Sequence, residues 1–296
     1  MILSNKIQSI KCIEVVCDGG TEYGFGHIRR TYTLVQSLVN SGFAVRYTAA
    51  SIESKDLLPN FKSSKLKPNI CILDLPYEIN NFLSISPRNG IPIIALDYFG
   101  LTNTSCVISV FDRHLELPGL RFNGLNYAII RNEIKRIKMV KNNGYVVVMI
   151  GGTDLNQVGE STADFIASKG IKVYLIQGPT VKDNYISKSP LIRCLKMPDN
   201  LEEIMSNCSW AVTNGGGSMM EMMHLGKPVF VIPQTQAEKK FSNFIYKKGG
   251  IIGVGERVEK IPDLTSLKSI SSVSKEMIDG NGVERIKDII KEFLNG

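Results

Sequence analysis

Short apolar runs alternate along the chain with segments whose apolar residues recur at every third or fourth position. The run Ile13–Cys17 predicts a strand that ends at Asp18, and the segment His27–Ser41 has the spacing of a helix. Further strands are predicted at Ala44–Thr48, Ile70–Leu73, Ile91–Leu96 and Cys106–Val110. Strands that alternate with helices in this way indicate a parallel sheet covered by helices.

The polar and basic stretch Arg131–Gly144 interrupts this alternation, so we interpret it as a connector between two domains. Beyond it the same pattern starts again. Strands are predicted at Tyr145–Ile150, Lys172–Ile176, Trp210–Thr213 and Pro228–Ile232, and helices at Gln157–Ser168, Leu201–Ser206 and Met219–Leu225. At 296 residues the chain exceeds one usual core. We therefore predict an α/β fold with two Rossmann-like domains facing across a cleft, residues 1–143 and 144–296.

The composition excludes a disordered chain, since 43% of the residues are hydrophobic. No apolar run approaches the roughly 20 residues that span a bilayer, so no membrane association is expected. The N-terminal segment Met1–Cys17 lacks the apolar core of a signal peptide, which favours a cytoplasmic protein. The six cysteines never form a Cys-x-x-Cys pair, and we expect reduced thiols and no zinc site.

The net charge of +7 is spread over the whole chain. Its densest groups, Arg131–Lys141 and Lys239–Lys248, are each typical of a solvated helix face. A basic enzyme also attracts an anionic small molecule, such as a phosphate ester, to its cleft. Because nucleic-acid binders concentrate Lys and Arg on one element, we favour the small anion and expect no nucleic-acid partner.

Glycine is concentrated at three junctions between a predicted strand and the following helix: Asp18–His27, Gly151–Asp154 and Asn214–Ser218. Glycine lets backbone N–H groups approach a ligand closely, and the start of the next helix favours an anion. A tight turn would explain any one of the three. Together, at the carboxyl ends of strands in both halves, they predict an anionic ligand held between two domains. The first is neither a dinucleotide fingerprint nor a Walker loop, because it lacks the third glycine and any Gly-Lys-Ser/Thr sequence.

A histidine, His27, distinguishes the first junction and stands at the predicted start of a helix. The helix dipole disfavours an imidazolium there, and a neutral imidazole is what a general base requires. A capping or core role for His27 is the alternative. We interpret His114 and His224 as structural or solvated, and the three histidines have no metal-ligand spacing.

The third junction leads into an acidic residue, Glu221, three positions after Ser218. A capping box would explain this pair without a function. The functional interpretation is that Glu221 accepts hydrogen bonds from ribose hydroxyls while the backbone of Gly215–Ser218 holds a diphosphate. The methionines beside Glu221 are more typical of helix packing than of a binding surface.

Several blocks of sequence occur in the order found in a known family: Asp18, Gly24-Phe-Gly-His-Ile-x-Arg30, Gly124-x-x-Tyr-Ala-Ile-Ile-Arg131, Gly151-Gly-Thr-Asp154 and Asp279-Gly-x-Gly-x-x-Arg285. They resemble the bacterial UDP-sugar hydrolases of pseudaminic acid biosynthesis, which release UDP from UDP-2,4-diacetamido-2,4,6-trideoxy-β-L-altropyranose. The segment Gly215–Pro233 also resembles the nucleotide-binding half of the peptidoglycan N-acetylglucosaminyltransferase.

The resemblance implies a glycosyltransferase B-type fold, an inverting attack of water on the anomeric carbon, and no metal or cofactor. It implies that His27 is catalytic and that a C-terminal helix, Val283–Leu294, packs on the first domain. The implied nucleotide-binding residues are Gly215, Gly216, Gly217, Ser218 and Glu221. The implied substrate-binding residues are Asp18, Gly24, Gly26, Arg30, Tyr127, Arg131, Gly151, Gly152, Thr153 and Asp154. We expect a monomer whose partner is a UDP-sugar.

The sequence also departs from the family pattern, at Val16, Asp74-Leu-Pro-Tyr77 and Asp97-Tyr98 on the sugar side and at Glu238 on the nucleotide side. Two alternatives stay open. One is a glycosyltransferase of the same fold that uses a hydroxyl acceptor in place of water. The other is a nucleotide-sugar-binding protein without catalytic activity.

Overall fold

The computed structural model describes most of the chain, and its secondary structure repeats the predicted alternation of strands and helices. The described residues are 10–21, 23–49, 51, 54–55, 62–76, 90–97, 104–111, 119–138, 140–152, 154, 156–181 and 185–295. Four positions singled out in the sequence, Tyr77, Tyr98, His114 and Thr153, lie outside them.

The chain forms two compact units. The first consists of Met1–Gly20, His27–Tyr127 and Val283–Gly296, and the second of Thr21–Gly26 and Ala128–Gly282. The C-terminal helix belongs to the first unit, where Lys287 Nζ donates to Ser41 Oγ at 3.1 Å and Arg285 Nη1 donates to the carbonyl of Asn126 at 2.9 Å.

A six-stranded parallel sheet forms the centre of the first unit. Its strands are β1 (Cys12–Cys17), β2 (Ala44–Ala49), β3 (Ile70–Asp74), β4 (Ile93–Leu96), β5 (Cys106–Ser109) and β6 (Leu120–Asn123), in the order β2-β1-β3-β4-β5-β6. Every residue of β1 and β3 is buried, as expected for inner strands of a parallel sheet covered on both faces, and apart from Glu14 and Asp74 both strands are apolar.

A second six-stranded parallel sheet forms the centre of the second unit. Its strands are β7 (Tyr145–Met149), β8 (Lys172–Gln177), β9 (Ile192–Lys196), β10 (Trp210–Thr213), β11 (Val229–Val231) and β12 (Gly253–Val254), in the order β12-β11-β10-β7-β8-β9. Its core includes Val146, Val148, Val212 and Ile166. The predicted fold class, two parallel α/β sheets, is therefore confirmed.

The helices begin and end within about two residues of the predicted bounds wherever a helix was predicted. They are α1 (Gly26–Asn40), α2 (Asn132–Lys135), α3 (Gly159–Ser168), α4 (Leu201–Asn207), α5 (Gly217–His224), α6 (Gln236–Lys247), α7 (Leu264–Met277) and α8 (Gly282–Asn295), with a short 3-10 turn at Leu125–Tyr127. Among the described residues, none of these helices has the length and apolar character that a membrane crossing needs.

The segment interpreted as a connector, Arg131–Gly144, lies within the second unit and is held there by hydrogen bonds. The backbone N–H of Lys141 donates to the carbonyl of Ser206 at 3.2 Å. The Nζ atom of the buried Lys227 donates to the carbonyls of Lys141 and Cys208, at 2.5 and 2.6 Å. A charged side chain shielded from water requires such partners, so Lys227 fixes the course of this segment.

Candidate active site

Three carboxylates stand at the carboxyl edge of the first sheet. Asp18 follows β1, Asp74 ends β3 and Asp97 follows β4, and these three strands are neighbours in the sheet. Helix α1 begins at the same edge, with His27 as its second residue. This edge is where open α/β sheets bind their ligands.

The imidazole of His27 is paired with Asp74. His27 Nδ1 lies 2.6 Å from Asp74 Oδ1, and the Asp74 side chain is fully buried whereas that of His27 is 18% exposed. Since an ionised carboxylate only accepts, Nδ1 carries the hydrogen and donates it. Arg30 Nη2 also lies 3.1 Å from Nδ1, but arginine has no acceptor, so Asp74 Oδ1 is the acceptor for both donors. This tautomer leaves His27 Nε2 as the basic nitrogen.

The carboxylate of Asp74 is fully satisfied by its neighbours. Oδ1 accepts from His27 and from Arg30 Nη2 at 2.5 Å, and Oδ2 accepts from Arg30 Nε at 2.8 Å and Thr31 Oγ1 at 2.7 Å. Burial alone raises the pKa of this carboxyl, but the charges of Arg30 and His27 and their hydrogen bonds outweigh it and hold the pKa well below its usual range. Asp74 therefore stays ionised and orients His27.

Arg30 lies between two carboxylates. Besides binding Asp74, its Nη1 atom donates to Asp97 Oδ2, while Asp97 Oδ1 accepts from the backbone N–H of Val110 at 3.1 Å. Burial lowers the pKa of Arg30, but Asp74 and Asp97 more than offset this and raise the pKa overall. The substrate contact expected of Arg30 stays a prediction, and the hydrogen bonds that its guanidinium makes support the carboxylate of Asp74.

The other predicted residues of the first junction fall into two groups. Asp18 is buried, and its Oδ1 atom accepts from the N–H of Gly19 at 2.8 Å and from Ser54 Oγ at 3.3 Å. A Cβ atom added to Gly24 or to Gly26 would meet no heavy atom of the described residues within 4 Å. Asp18 thus shapes the turn that directly follows β1.

Tyr127, another predicted substrate ligand, lies in the 3-10 turn that follows β6. Its ring packs edge to face against Phe122, with centroids 6.1 Å apart and an interplanar angle of 65°. The structure thus shows a packing role for the ring, and its contact with substrate stays a prediction.

In the junction after β7, the backbone of Gly152 packs closely against the backbone at Gly178. Gly151 has a φ of +77°, and a Cβ on Gly178 would collide with the carbonyl oxygen of Gly152. The same oxygen accepts from Thr180 Oγ1 at 3.0 Å. The two oxygens of Asp154 accept from the N–H groups of Val158 at 3.0 Å and of Gly159 at 2.9 Å, so Asp154 satisfies donors at the start of α3.

The junction after β10 leads directly into α5. That helix begins at Gly217 with Gly216 as its N-cap, and among the described residues no side chain caps it. Ser218 therefore lies inside the first turn, and the capping-box interpretation of Ser218 and Glu221 is wrong. Without a side-chain cap, the first N–H groups of α5 remain available to an anion.

Helix α6 approaches this junction closely. A Cβ on Gly215 would lie 2.6 Å from Ser242 Oγ and 2.9 Å from Glu238 Cβ, whereas a Cβ on Gly217 would meet no atom of the described residues within 4 Å. The carboxylate of Glu238 also accepts from Asn214 Nδ2 and from the N–H of Gln234, both at 2.7 Å. The glycine junction is thus held in place from the side of α6.

Glu221 and Arg131 form a two-pronged ion pair in the second unit. Arg131 Nε lies 2.6 Å from Glu221 Oε1 and Nη2 lies 2.9 Å from Oε2, while Nη1 donates to Glu202 Oε1 at 3.2 Å. The sequence indicated each residue separately, as a substrate ligand and as a ribose ligand, but did not predict that they pair.

The remaining sites of interest are structural. His224 Nδ1 lies 3.0 Å from the carbonyl oxygen of Ile278, within the second unit. In the part of the chain that the structure describes, no cluster of three or more His, Cys, Asp or Glu side chains is arranged to hold a metal ion. The six cysteines are free, and burial raises the pKa of the Cys106 and Cys208 thiols to about 12.

Comparison with known proteins gives distant relatives. No protein-family model matches the chain. An uncharacterized protein of Methanocaldococcus jannaschii is 24% identical over 293 residues, and the match covers 80% of this chain but only 58% of that relative. The spore coat polysaccharide biosynthesis protein SpsG of Bacillus subtilis is 20% identical over 336 residues, covering 95% of this chain and 98% of SpsG.

Solved structures show the fold over almost the whole chain. MurG of Acinetobacter baumannii matches with a TM-score of 0.67 at 11% identity, covering 95% of this chain and 99% of MurG. MnaA of S. aureus, solved with UDP, matches with a TM-score of 0.64 at 13% identity, covering 97% of each chain. The fold is the glycosyltransferase B fold. At such identities this likeness establishes the architecture, and the argument for a reaction comes from the residues of the site.

Proposed function

We propose that this protein is an enzyme of carbohydrate biosynthesis that transfers the glycosyl group of a UDP-sugar, with His27 as the general base. The observation that carries the proposal is the His27–Asp74 pair at the carboxyl edge of a sheet in a glycosyltransferase B fold. The similarity to SpsG, which is named for spore coat polysaccharide biosynthesis, supports the pathway class.

The proposed reaction is a single displacement at the anomeric carbon. An attacking hydroxyl gives its proton to His27 Nε2 as its oxygen forms the new bond to that carbon. The bond from the anomeric carbon to the diphosphate breaks, and its electron pair leaves on UDP. Asp74 holds the ring in the productive tautomer and stabilises the imidazolium that forms. Because the nucleophile attacks opposite to the leaving group, the configuration inverts.

The leaving group is assigned to the glycine junction before α5. The N–H groups at the start of this helix lack a side-chain cap among the described residues, and a helix N-terminus favours a diphosphate. Gly217 leaves open space beside them. That MnaA of the same fold was solved with UDP supports UDP as the nucleotide, and we assign its ribose to Glu221.

The acceptor decides between two enzymes. The first is a glycosyltransferase, whose acceptor is a hydroxyl group, and the calicheamicin glycosyltransferase CalG4 has the same fold. The second candidate is a hydrolase that uses water, acting on UDP-2,4-diacetamido-2,4,6-trideoxy-β-L-altropyranose. It is favoured by the blocks Gly24–Arg30 and Gly124–Arg131, which resemble those of the pseudaminic acid enzymes.

A panel of UDP-sugars, which includes the altropyranose, tests the proposal by the release of free UDP with and without added acceptor sugars. A transferase releases UDP only with an acceptor, and a hydrolase releases it with water alone. The His27→Ala variant should lose about 10²- to 10⁴-fold in rate, while it stays folded and its affinity for UDP is unchanged. An unchanged rate in that variant overturns the role of His27. UDP binding without turnover of any sugar would indicate a binding protein.

A further inference from the structure

The ion pair between Arg131 and Glu221 joins residues 90 positions apart in the second unit. Both terminal atoms of the Glu221 carboxylate bind the guanidinium, Oε1 through Nε and Oε2 through Nη2. Such a two-pronged pair fixes the plane of the carboxylate as well as its position, because two parallel hydrogen bonds leave no free rotation.

Both partners are attached to well-packed backbone. Arg131 stands immediately before α2, between Ile130 and Ile134, which are each 1% exposed. Glu221 lies in α5 between the buried Met220 and Met222. Because Arg131 is fixed at the start of α2, its bonds hold the Glu221 carboxylate on α5 in a defined position.

Arg131 is a poor candidate for a direct diphosphate ligand. Its guanidinium contacts two carboxylates, those of Glu221 and Glu202, so its positive charge is already compensated. Burial lowers the pKa of Arg131, but the hydrogen bonds and charges of these acids outweigh that effect and raise the pKa overall. The cluster carries one positive and two negative charges, which would repel a diphosphate.

The carboxylate of Glu221 can accept further hydrogen bonds from a ligand. Each carboxylate oxygen has two lone pairs, and Arg131 uses one on each. The Glu221 side chain is 10% exposed, so one part of it faces solvent. Two neighbouring hydroxyls, as on the 2′ and 3′ positions of ribose, are the donors that match two oxygens held in a fixed plane.

We propose that Arg131 is a positioning residue that holds the Glu221 carboxylate to accept both ribose hydroxyls, and so selects ribonucleotides over 2′-deoxyribonucleotides. This inference rests on the proposed function, since it takes the nucleotide of that function as the ligand. It replaces the direct substrate contact expected of Arg131 with an action through Glu221.

Calorimetric titration with UDP and with 2′-deoxy-UDP tests the inference. The wild-type protein should bind UDP about tenfold or more tightly than 2′-deoxy-UDP, since a hydrogen bond to a charged group is lost with the hydroxyl. In Arg131→Gln this preference should fall to about threefold or less, mainly through weaker UDP binding. Glu202→Gln is the matched control. It removes the other acid of the cluster, leaves the Glu221 bonds in place and should keep the preference.

The variants separate positioning from folding. If Arg131→Gln weakens both nucleotides by the same factor, Arg131 has only a structural role and the inference is overturned. Should Arg131→Gln not fold, Arg131→Lys is the second variant, because lysine keeps the positive charge but cannot bind both carboxylate oxygens at once. If Arg131→Lys prefers UDP over 2′-deoxy-UDP as strongly as the wild-type protein does, the inference is overturned. Failure of the wild-type protein to bind UDP would instead refute the proposed function itself, before any variant is compared.

Discussion

The Nδ1 atom of His27 lies 2.6 Å from Oδ1 of Asp74, although 47 positions separate the two residues. The topology of the sheet explains their meeting. Strand β3 lies beside β1 in the sheet, and the register places Cys17, the last residue of β1, opposite Asp74. Helix α1 begins at the same edge, so His27 reaches the carboxylate that ends the neighbouring strand.

Replacing Asp74 with asparagine should impair catalysis more than binding. The amide NH₂ that this substitution introduces can donate to Nδ1 of His27, which would place the imidazole proton on Nε2 and abolish its basicity. We expect kcat for UDP release to fall by about 10²-fold or more in Asp74→Asn, with KM nearly unchanged. Steady-state kinetics with the UDP-sugar that the wild-type enzyme turns over fastest measures this.

The matched control for Asp74→Asn is Thr31→Val. It removes one hydrogen bond to Asp74 Oδ2 and leaves the bond to His27 intact. Its kcat should fall by less than about tenfold, the effect of losing one hydrogen bond. Equal losses in the two variants would contradict an orienting role that Asp74 exerts on His27.

Stability in acid should depend on Asp74. Because the folded state holds the pKa of Asp74 below its ordinary value of 3.8, the unfolded chain binds the proton first as the pH falls. The stabilisation from Asp74 is therefore complete above that ordinary value and decreases below it. From about pH 4 downwards, the free energy of unfolding of the wild-type protein should fall by about 1.4 kcal/mol per pH unit more than that of Asp74→Asn. Urea unfolding at a series of pH values measures both slopes, and parallel curves would refute the prediction.

The inner strands of both sheets and the edge strand β2 could be predicted from the sequence, whereas the edge strands β6, β9 and β12 could not. Strands β1 and β3 are buried throughout and are encoded as mainly apolar runs, with Glu14 inside β1 and Asp74 at the end of β3 as their charged residues. The edge strands β6 and β9 are partly exposed, so polar residues interrupt their sequences, as in Ile192-Arg-Cys-Leu-Lys196. An edge strand without an apolar run has no pattern that distinguishes it from a loop.

Some features of the candidate site are encoded locally in the sequence, and others depend on contacts between distant residues. The glycine junctions and His27 are local features, and the sequence indicates both. The pairs His27–Asp74 and Arg131–Glu221 join residues 47 and 90 positions apart, and their meeting depends on strand order and packing. One signal for Asp74 was available, since a carboxylate at the end of a buried strand faces the ligand edge of a parallel sheet.

Two glycines of the third junction should respond in opposite ways to alanine. In Gly215→Ala the new methyl group would meet Ser242 Oγ and Glu238 Cβ, at 2.6 and 2.9 Å in the present geometry. Overpacking of this kind should lower the free energy of unfolding by about 1–3 kcal/mol. Gly217→Ala meets nothing within 4 Å, so its stability should stay the same or rise by up to about 1 kcal/mol. Thermal and urea unfolding of the two variants give the comparison.

Ser242 offers a check on the cause of the Gly215→Ala effect. Its hydroxyl is buried and, among the described residues, has no hydrogen-bond partner. Ser242→Ala should therefore cost little stability by itself, since it removes an unpaired polar group. The double variant Gly215→Ala, Ser242→Ala should regain part of the stability lost in Gly215→Ala, because it removes the Oγ atom that the new methyl group meets. No recovery would show that contact with Ser242 is not the main source of the strain.

The open space at Gly217 should matter for the ligand instead. If the diphosphate of UDP lies against the first N–H groups of α5, a methyl group at Gly217 would intrude on it. We expect Gly217→Ala to weaken UDP binding by about tenfold, a loss of about 1.4 kcal/mol, while its stability is preserved. Calorimetric titration with UDP checks this, and unchanged affinity would place the diphosphate elsewhere.

For Asp154, the family resemblance and the observed geometry favour different roles, and mutation can distinguish them. The resemblance implies a substrate ligand, whereas both carboxylate oxygens accept N–H groups at the start of α3. Loss of these bonds in Asp154→Ala should lower the free energy of unfolding by about 1–2 kcal/mol. Asp154→Asn keeps one acceptor oxygen and tolerates the φ of +36°, so its loss should be smaller. With a structural role alone, KM for the UDP-sugar changes by less than about threefold in Asp154→Asn, within the effect of a small local shift. A larger rise in KM at full stability would assign Asp154 to the substrate.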